Sequence, residues 1–153
     1  MPTFSQNRAF QLVTFFLSSA LMHLLWENAQ APLYAGYESF GQHFWICFKA
    51  TGGDLLFMFV IYVVLAVMHQ DLFWIANRAV YAHSATWIIA VFIGMLLAVS
   101  FELWAIHVDH RWAYAGMPII PLLKIGLTPI LQMLIIPPLT LLITKNFSHR
   151  KQP

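Results

Sequence analysis

Charge is scarce in this chain. Its 153 residues include 8 Lys or Arg and 6 Asp or Glu, 9% in all, where a soluble domain carries about 25%. A fold of this length cannot cover a water-facing surface with so few charges, so a soluble domain is excluded. A net charge of +2, with no basic run interleaved with aromatics, gives no support to a nucleic-acid partner. Cysteine is rarer still. Cys47 stands alone, which rules out an internal disulfide and argues against a cysteine-built zinc site. The chain also lacks a Walker motif, a dinucleotide glycine pattern, G-x-S-x-G and H-E-x-x-H, so no nucleotide, cofactor or familiar hydrolase machinery is indicated.

What is present is apolar: 60% of residues are hydrophobic and the mean hydropathy is +0.71. Four apolar segments stand out, at residues 9–26, 51–68, 85–107 and 125–144. A bilayer core about 30 Å thick needs a helix of about 20 residues. The expectation is an all-α polytopic membrane protein, a four-helix transmembrane bundle in one domain over residues 1–153. Between the first two segments, "NAQAPLYAGYESFGQHFWICFKA" reads as a loop followed by an interfacial helix at Phe40–Ala50, with a kink at Gly52-Gly53.

Charge asymmetry sets the expected orientation. Arg8, Arg78, Lys145, Arg150 and Lys151 share one side with Asp71 alone. The other side holds Lys49, Arg111 and Lys124 with Glu27, Glu38, Asp54, Glu102 and Asp109. An excess of Lys and Arg marks the cytoplasmic face, which puts both termini inside, in a bacterial inner (plasma) membrane. Trp26, Trp45, Trp104, Trp112 and Tyr114 then form an outer aromatic belt, and Trp74, Tyr81 and Trp87 an inner one. Arg8, the apolar run and "AQA" (Ala29–Ala31) loosely imitate a cleaved secretory signal. The run is longer than such signals usually carry, so an uncleaved first span is expected; the amino-terminal sequence of the purified protein checks this.

Residues four apart share a helix face. On that rule Ala90, Gly94, Ala98 and Glu102 form one stripe, and Ser19, His23 and Glu27 another. Asp54, Met58, Tyr62 and Ala66 form a third, and Thr128, Gln132, Thr140 and Thr144 a fourth. Counted from the cytoplasmic ends, Glu27, Asp54, Glu102 and Thr128 all lie roughly 20–26 Å up their helices. Three carboxyls from three helices at one level make a functional-site candidate, because an intramembrane acid needs a partner. Lys49, Arg111, Lys124, His23, His107, Tyr34, Tyr37 and Tyr114 are the available partners. A structural alternative stands beside this: Asp54 as the cap of the second helix, and Glu102 paired with Arg111 to fasten a loop.

Other constellations are weaker. His107, Asp109 and His110 in "HVDHRW" are candidate metal ligands, but the spacing matches no strong signature. Met22, Met58, Met68, Met95, Met117 and Met133 are scattered and read as gap-fillers. Pro129 suits a first helical turn, whereas Pro137-Pro138 frees backbone carbonyls within a span.

The run from Glu102 through "RWAY", Pro118 and Pro121 to "GLTPILQ" resembles the membrane cyclase domains of carotenoid synthesis, of the lycopene cyclase type. The resemblance implies a proton donor to a polyene at Glu102. It carries over no other residue, since Thr128 and Gln132 stand where that family has paired glutamates. The "WE…Q…PLY" and "RWxY…MPxxP" runs also resemble small bacterial inner-membrane proteins, a likeness that implies no activity.

Together these features point to an integral membrane protein that binds or transforms a lipid or isoprenoid. Glu27, Asp54 and Glu102 are its candidate catalytic acids. Trp26, Tyr34, Trp104, Trp112 and Tyr114, with His23, Arg111 and Gln132, are its candidate binding residues. The alternatives are a non-catalytic subunit with a membrane-protein partner, or a small carrier for protons or metal ions. Polar residues thin out below Gln132 and Tyr62, which disfavours a carrier, and an unpacked stripe through Gly94 would favour a subunit.

Overall fold

A computed structural model describes residues 4–149. Four long helices account for most of them: α1 (Phe4–Gln30), α2 (Phe40–His69), α3 (Ser84–His107) and α4 (Leu127–His149). Each is long and apolar enough to cross a membrane. They run alternately up and down, so α1 starts where α4 ends, and the rings of Phe10 and Phe147 meet there at 6.3 Å. We call this the lower end. Around the bundle α1 packs on α2 and α4, and α3 packs on α4, with α2 and α3 the looser seam.

The predicted interfacial helix at Phe40–Ala50 does not form a separate element. It is the first third of α2, which continues unbroken through Gly52-Gly53. Apolar and small residues at helical spacing carry the helix on, and two glycines weaken a helix by only about 1 kcal/mol each. Asp54 therefore sits in mid-helix and caps nothing. Gln70, in the left-handed region at φ 53°, ends α2 with its N–H on the carbonyls of Ala66 and Val67.

At the lower end, Trp74 and Tyr81 are not belt residues but core. Trp74 is fully buried in short 3-10 turns between α2 and α3, among Phe15, Tyr62 and Tyr81. Its indole N–H donates to Tyr62 O at 3.1 Å, and the Tyr81 hydroxyl donates to Ile75 O at 2.8 Å. Both polar tips are satisfied locally, so the rings can fill the bundle rather than sit at a headgroup layer.

At the upper end the chain builds a roof. A two-residue hairpin pairs β1 (Ile119–Ile120) with β2 (Ile125–Gly126), its turn closed by Lys124 at φ 55°. The loop after α1 joins it sideways: Ala35 N donates to Ala113 O and Ala115 N to Leu33 O, both at 2.9 Å, with Tyr34 opposite Tyr114.

The small-residue stripe of α3 is consumed inside the bundle. Ala90, Gly94, Ala98 and Glu102 are all buried. A Cβ on Gly94 would lie 3.1 Å from Met133 O and 3.5 Å from Ile61 Cδ1. No such obstacle surrounds Gly52 or Gly53, where a Cβ would meet nothing within 4 Å. Gly94→Leu is therefore expected to lose about 1–3 kcal/mol of stability through overpacking, while Gly53→Leu unfolds at or above the wild-type temperature. Thermal unfolding of the detergent-solubilised variants checks the contrast.

Candidate functional site

The last two turns of α1 place His23, Glu27 and Gln30 on one face, by their spacings of four and three. Gln132 reaches this face from α4, three residues past Pro129. Its amide nitrogen lies 2.8 Å from His23 Nδ1 and 2.9 Å from Asp54 Oδ2. His23 Nδ1 is itself 3.4 Å from Asp54 Oδ2. Gln30 Nε2 donates to Glu27 Oε1 at 2.7 Å and reaches Gln132 Oε1 at 3.4 Å. The Thr128 hydroxyl closes the set by donating to Gln30 Oε1 at 2.8 Å. One network thus gathers Glu27 and Asp54 through two glutamines and an imidazole.

Glu102 occupies an adjoining nest. The Tyr114 hydroxyl donates to its Oε2 and in turn accepts from Gly126 N at 2.7 Å. Glu102 shares no hydrogen bond with Glu27 or Asp54 among the described residues. The two nests meet electrostatically at Tyr34, which feels the charges of Glu102, Glu27 and Asp54. Burial, then Glu102, holds the Tyr34 hydroxyl well above the ordinary phenol range. Burial and the bond to Glu102 do the same for Tyr114, so both stay protonated donors at neutral pH.

The basic partners expected for the acids are elsewhere. Arg111 Nε pairs with Asp109 Oδ2 at 2.7 Å and lies over the Trp104 ring, so it does not fasten Glu102. Neither Lys49 nor Lys124 forms an ion pair with an acid, and His23 is the one basic group in salt-bridge range of the cluster among the described residues. Trp104 is half-exposed, and the Trp26 indole N–H finds no hydrogen-bond partner among the described residues. Trp112 packs on Tyr34 and Phe101, close to the Glu102–Tyr114 pair. An open recess of about 690 Å³ is lined by roof residues including Gly36, His110, Trp112 and Tyr114, and by none of the three acids.

The candidate metal ligands do not converge. His107 Nε2 is bonded to Leu123 O and His110 Nδ1 to Ile106 O, each at 3.0 Å, while Asp109 holds Arg111. No group of three His, Cys, Asp or Glu suited to a metal occurs among the described residues. Three members of the site escaped the sequence reading. Gln30 carried a usable signal, being seven residues from His23 and three from Glu27. Gly126 contributes a backbone N–H, and Cys47 places its thiol 3.6 Å from the Glu27 carbonyl; composition shows neither.

Compared with protein-family models, with curated proteins and with solved structures, the chain gives no match in any of the three. The cyclase resemblance therefore rests on the sequence run from Glu102 through "RWAY", Pro118 and Pro121 to "GLTPILQ" alone.

Gln132→Leu would leave Asp54, His23 Nδ1 and Gln30 short of a partner, and a buried polar group left unpaired costs about 1–3 kcal/mol. The variant is expected to unfold well below wild type in a detergent thermal scan. Arg111→Ala, which breaks an exposed pair, should stay within about 1 kcal/mol.

Proposed function

We propose that this integral membrane protein holds an acid site in the outer leaflet that takes the polar end of a lipid or isoprenoid, entering sideways from the bilayer, and binds or protonates it there. The observation that carries the reading is the company of the acids. Glu27, Asp54 and Glu102 are served by glutamine and tyrosine donors, with one imidazole and, among the described residues, no Lys or Arg in salt-bridge range. Three charges of one sign in apolar surroundings are costly unless protons or a cationic group share the site. Such a cluster suits general acid chemistry or the capture of a cationic headgroup or intermediate.

Access supports the same reading. The roof of Tyr34, Trp112 and Tyr114 lies over the Glu102 nest, whereas the helix beside Asp54 is bare. Gly52 and Gly53 are exposed with open space around them, and the Asp54 side chain keeps 15% of its surface accessible. An amphiphile lying in the bilayer could reach the carboxyl through this notch with its chain still in hydrocarbon. Phe57, Phe101 and Trp112 supply an aromatic wall nearby, able to hold an apolar or cationic group. The charge asymmetry of the sequence supports termini on the cytoplasmic side of a bacterial inner membrane, which makes the acid-bearing end the outer one.

Native mass spectrometry of the detergent-extracted protein tests this directly. Wild type is expected to carry a co-purified lipid or isoprenoid. Gly53→Leu should lose it by filling the notch, and Glu102→Gln should weaken it while both variants still accumulate in membranes. Retention of the same ligand by Gly53→Leu, or failure of Glu102→Gln to accumulate, defeats the proposal in favour of a structural role for the acids.

A further inference from the structure

Below the acid cluster the bundle interior is not simply apolar. Ser19, His23, Thr140 and Thr144 are fully buried, and Gln11 is nearly so. They lie on α1 and α4, which pack against each other, so a polar line continues where the sequence suggested that polar groups thin out. Its register follows from the bonds Gln30–Thr128 and His23–Gln132, which run the two helices antiparallel. Ser19 then falls level with Pro137, and Thr140 about one turn lower.

Three of these side chains have polar atoms that find no hydrogen-bond partner among the described residues: His23 Nε2, Ser19 Oγ and Thr140 Oγ1. Buried polar groups are nearly always paired, by protein or by ordered water, and a run of exceptions calls for a reason. The imidazole makes the case specific. The Gln132 amide uses its two N–H groups on His23 Nδ1 and Asp54 Oδ2. His23 therefore carries its hydrogen on Nε2, a donor turned away from the carboxyls. One turn down the same face is the Ser19 hydroxyl. Thr144 donates to Thr140 O at 2.8 Å, which extends the polar line toward the lower end.

We propose that His23, Ser19 and Thr140 form an internal proton route, completed by water, between the carboxyl cluster and the end of the bundle that bears both termini. When the Gln132 amide turns its N–H away from Nδ1, a proton passed to Nδ1 from the Asp54 carboxyl, 3.4 Å away, is matched by one released from Nε2 to water or the Ser19 hydroxyl. The ring gains no net charge and is left in its other tautomer. Return of the tautomer, or transfer in the reverse sense, readies it again. The groups that exchange protons with His23 are Asp54 from α2 and Glu27 on its own helix. Glu102 of α3 and the hydroxyls of Tyr34 and Tyr114 stand beyond them. From α4 the side chains along this stretch are Gln132 and Thr140, and its ionisable residues, Lys145 and His149, lie in its last two turns near the lower end. On the α2 side the way down is closed by Phe15, Trp74 and Leu65, all fully buried, which leaves the α4 side for the route. The route does not depend on what the cluster acts upon.

The test is a one-sided pH jump on proteoliposomes sorted to one orientation through a carboxy-terminal tag, following the carboxylic C=O infrared band. The Asp54→Asn and Glu27→Gln variants assign the band. The band is expected to follow the pH on the tagged side. Thr140→Val, which keeps shape but loses the hydroxyl, and Ser19→Ala should each slow the response at least about tenfold, the effect of one lost hydrogen bond in a transfer path. Thr140→Ser should restore it. A band that follows the opposite side, or that responds in Thr140→Val as fast as in wild type, overturns the route. Neither result bears on lipid binding, which is read from the mass spectrum.

Discussion

The amide of Gln132 is the bond on which the arrangement rests. Between apolar helices in a bilayer there is little hydrophobic drive, because lipid chains are as apolar as leucine. Register must come from shape and from directional polar contacts. Gln132 supplies these from α4 to two helices at once: to His23 and Gln30 of α1 and to Asp54 of α2. An amide can do this where a carboxylate cannot, since it offers two donors and an acceptor on one rigid plane. The position also explains the departure from the cyclase resemblance. A glutamate there would add like charge beside Asp54; glutamine joins the carboxyls instead.

The third helix is held by a different means. Pro137 has no N–H for the Met133 carbonyl, and a carbonyl without a partner is costly in a span. Gly94 answers this from α3. A Cβ at this position would lie 3.1 Å from Met133 O, so only a residue without one leaves that carbonyl its room. The missing side chain lets the two backbones approach, and the close approach shelters the freed carbonyl from lipid. Glycine on one helix and proline on the other are thus two halves of one contact, and the acid of α3 is delivered to its place eight residues further on.

How much of this the sequence disclosed depends on how local the cause was. The four spans follow from hydropathy, and the inward face of α3 from Ala90, Gly94, Ala98 and Glu102. The level of the acids follows from helical rise. What it concealed was set by long-range partners. Phe40–Ala50 is rich in aromatics, a feature that an interfacial helix shares with the end of a long span, and only packing distinguishes them. Trp74 reads as a belt residue until Tyr62 O is found to accept its indole N–H. Arg111 is the nearest cation to Glu102 in sequence, yet Asp109, two residues away, takes it first. Tyr114 is left as the partner of Glu102 because the roof hairpin brings Gly126 N to the far side of its hydroxyl.

The two ends of the bundle differ in how they are closed, and this decides what kind of molecule can meet the acids. Below, Trp74, Phe15 and Leu65 fill the section toward α2 with rings and methyls. Above, the strand-like pairing of the Tyr34 and Tyr114 segments spans the mouth between α1 and the α3–α4 hairpin. A water-borne solute would have to displace that pairing. Beside Asp54 nothing has to move, for Gly52 and Gly53 already stand aside. Glycine there is otherwise hard to justify, since almost any other residue would make a better helix at an exposed position. Bare backbone next to a carboxyl, inside a segment long enough to span, is therefore the feature on which the proposed lateral entry rests.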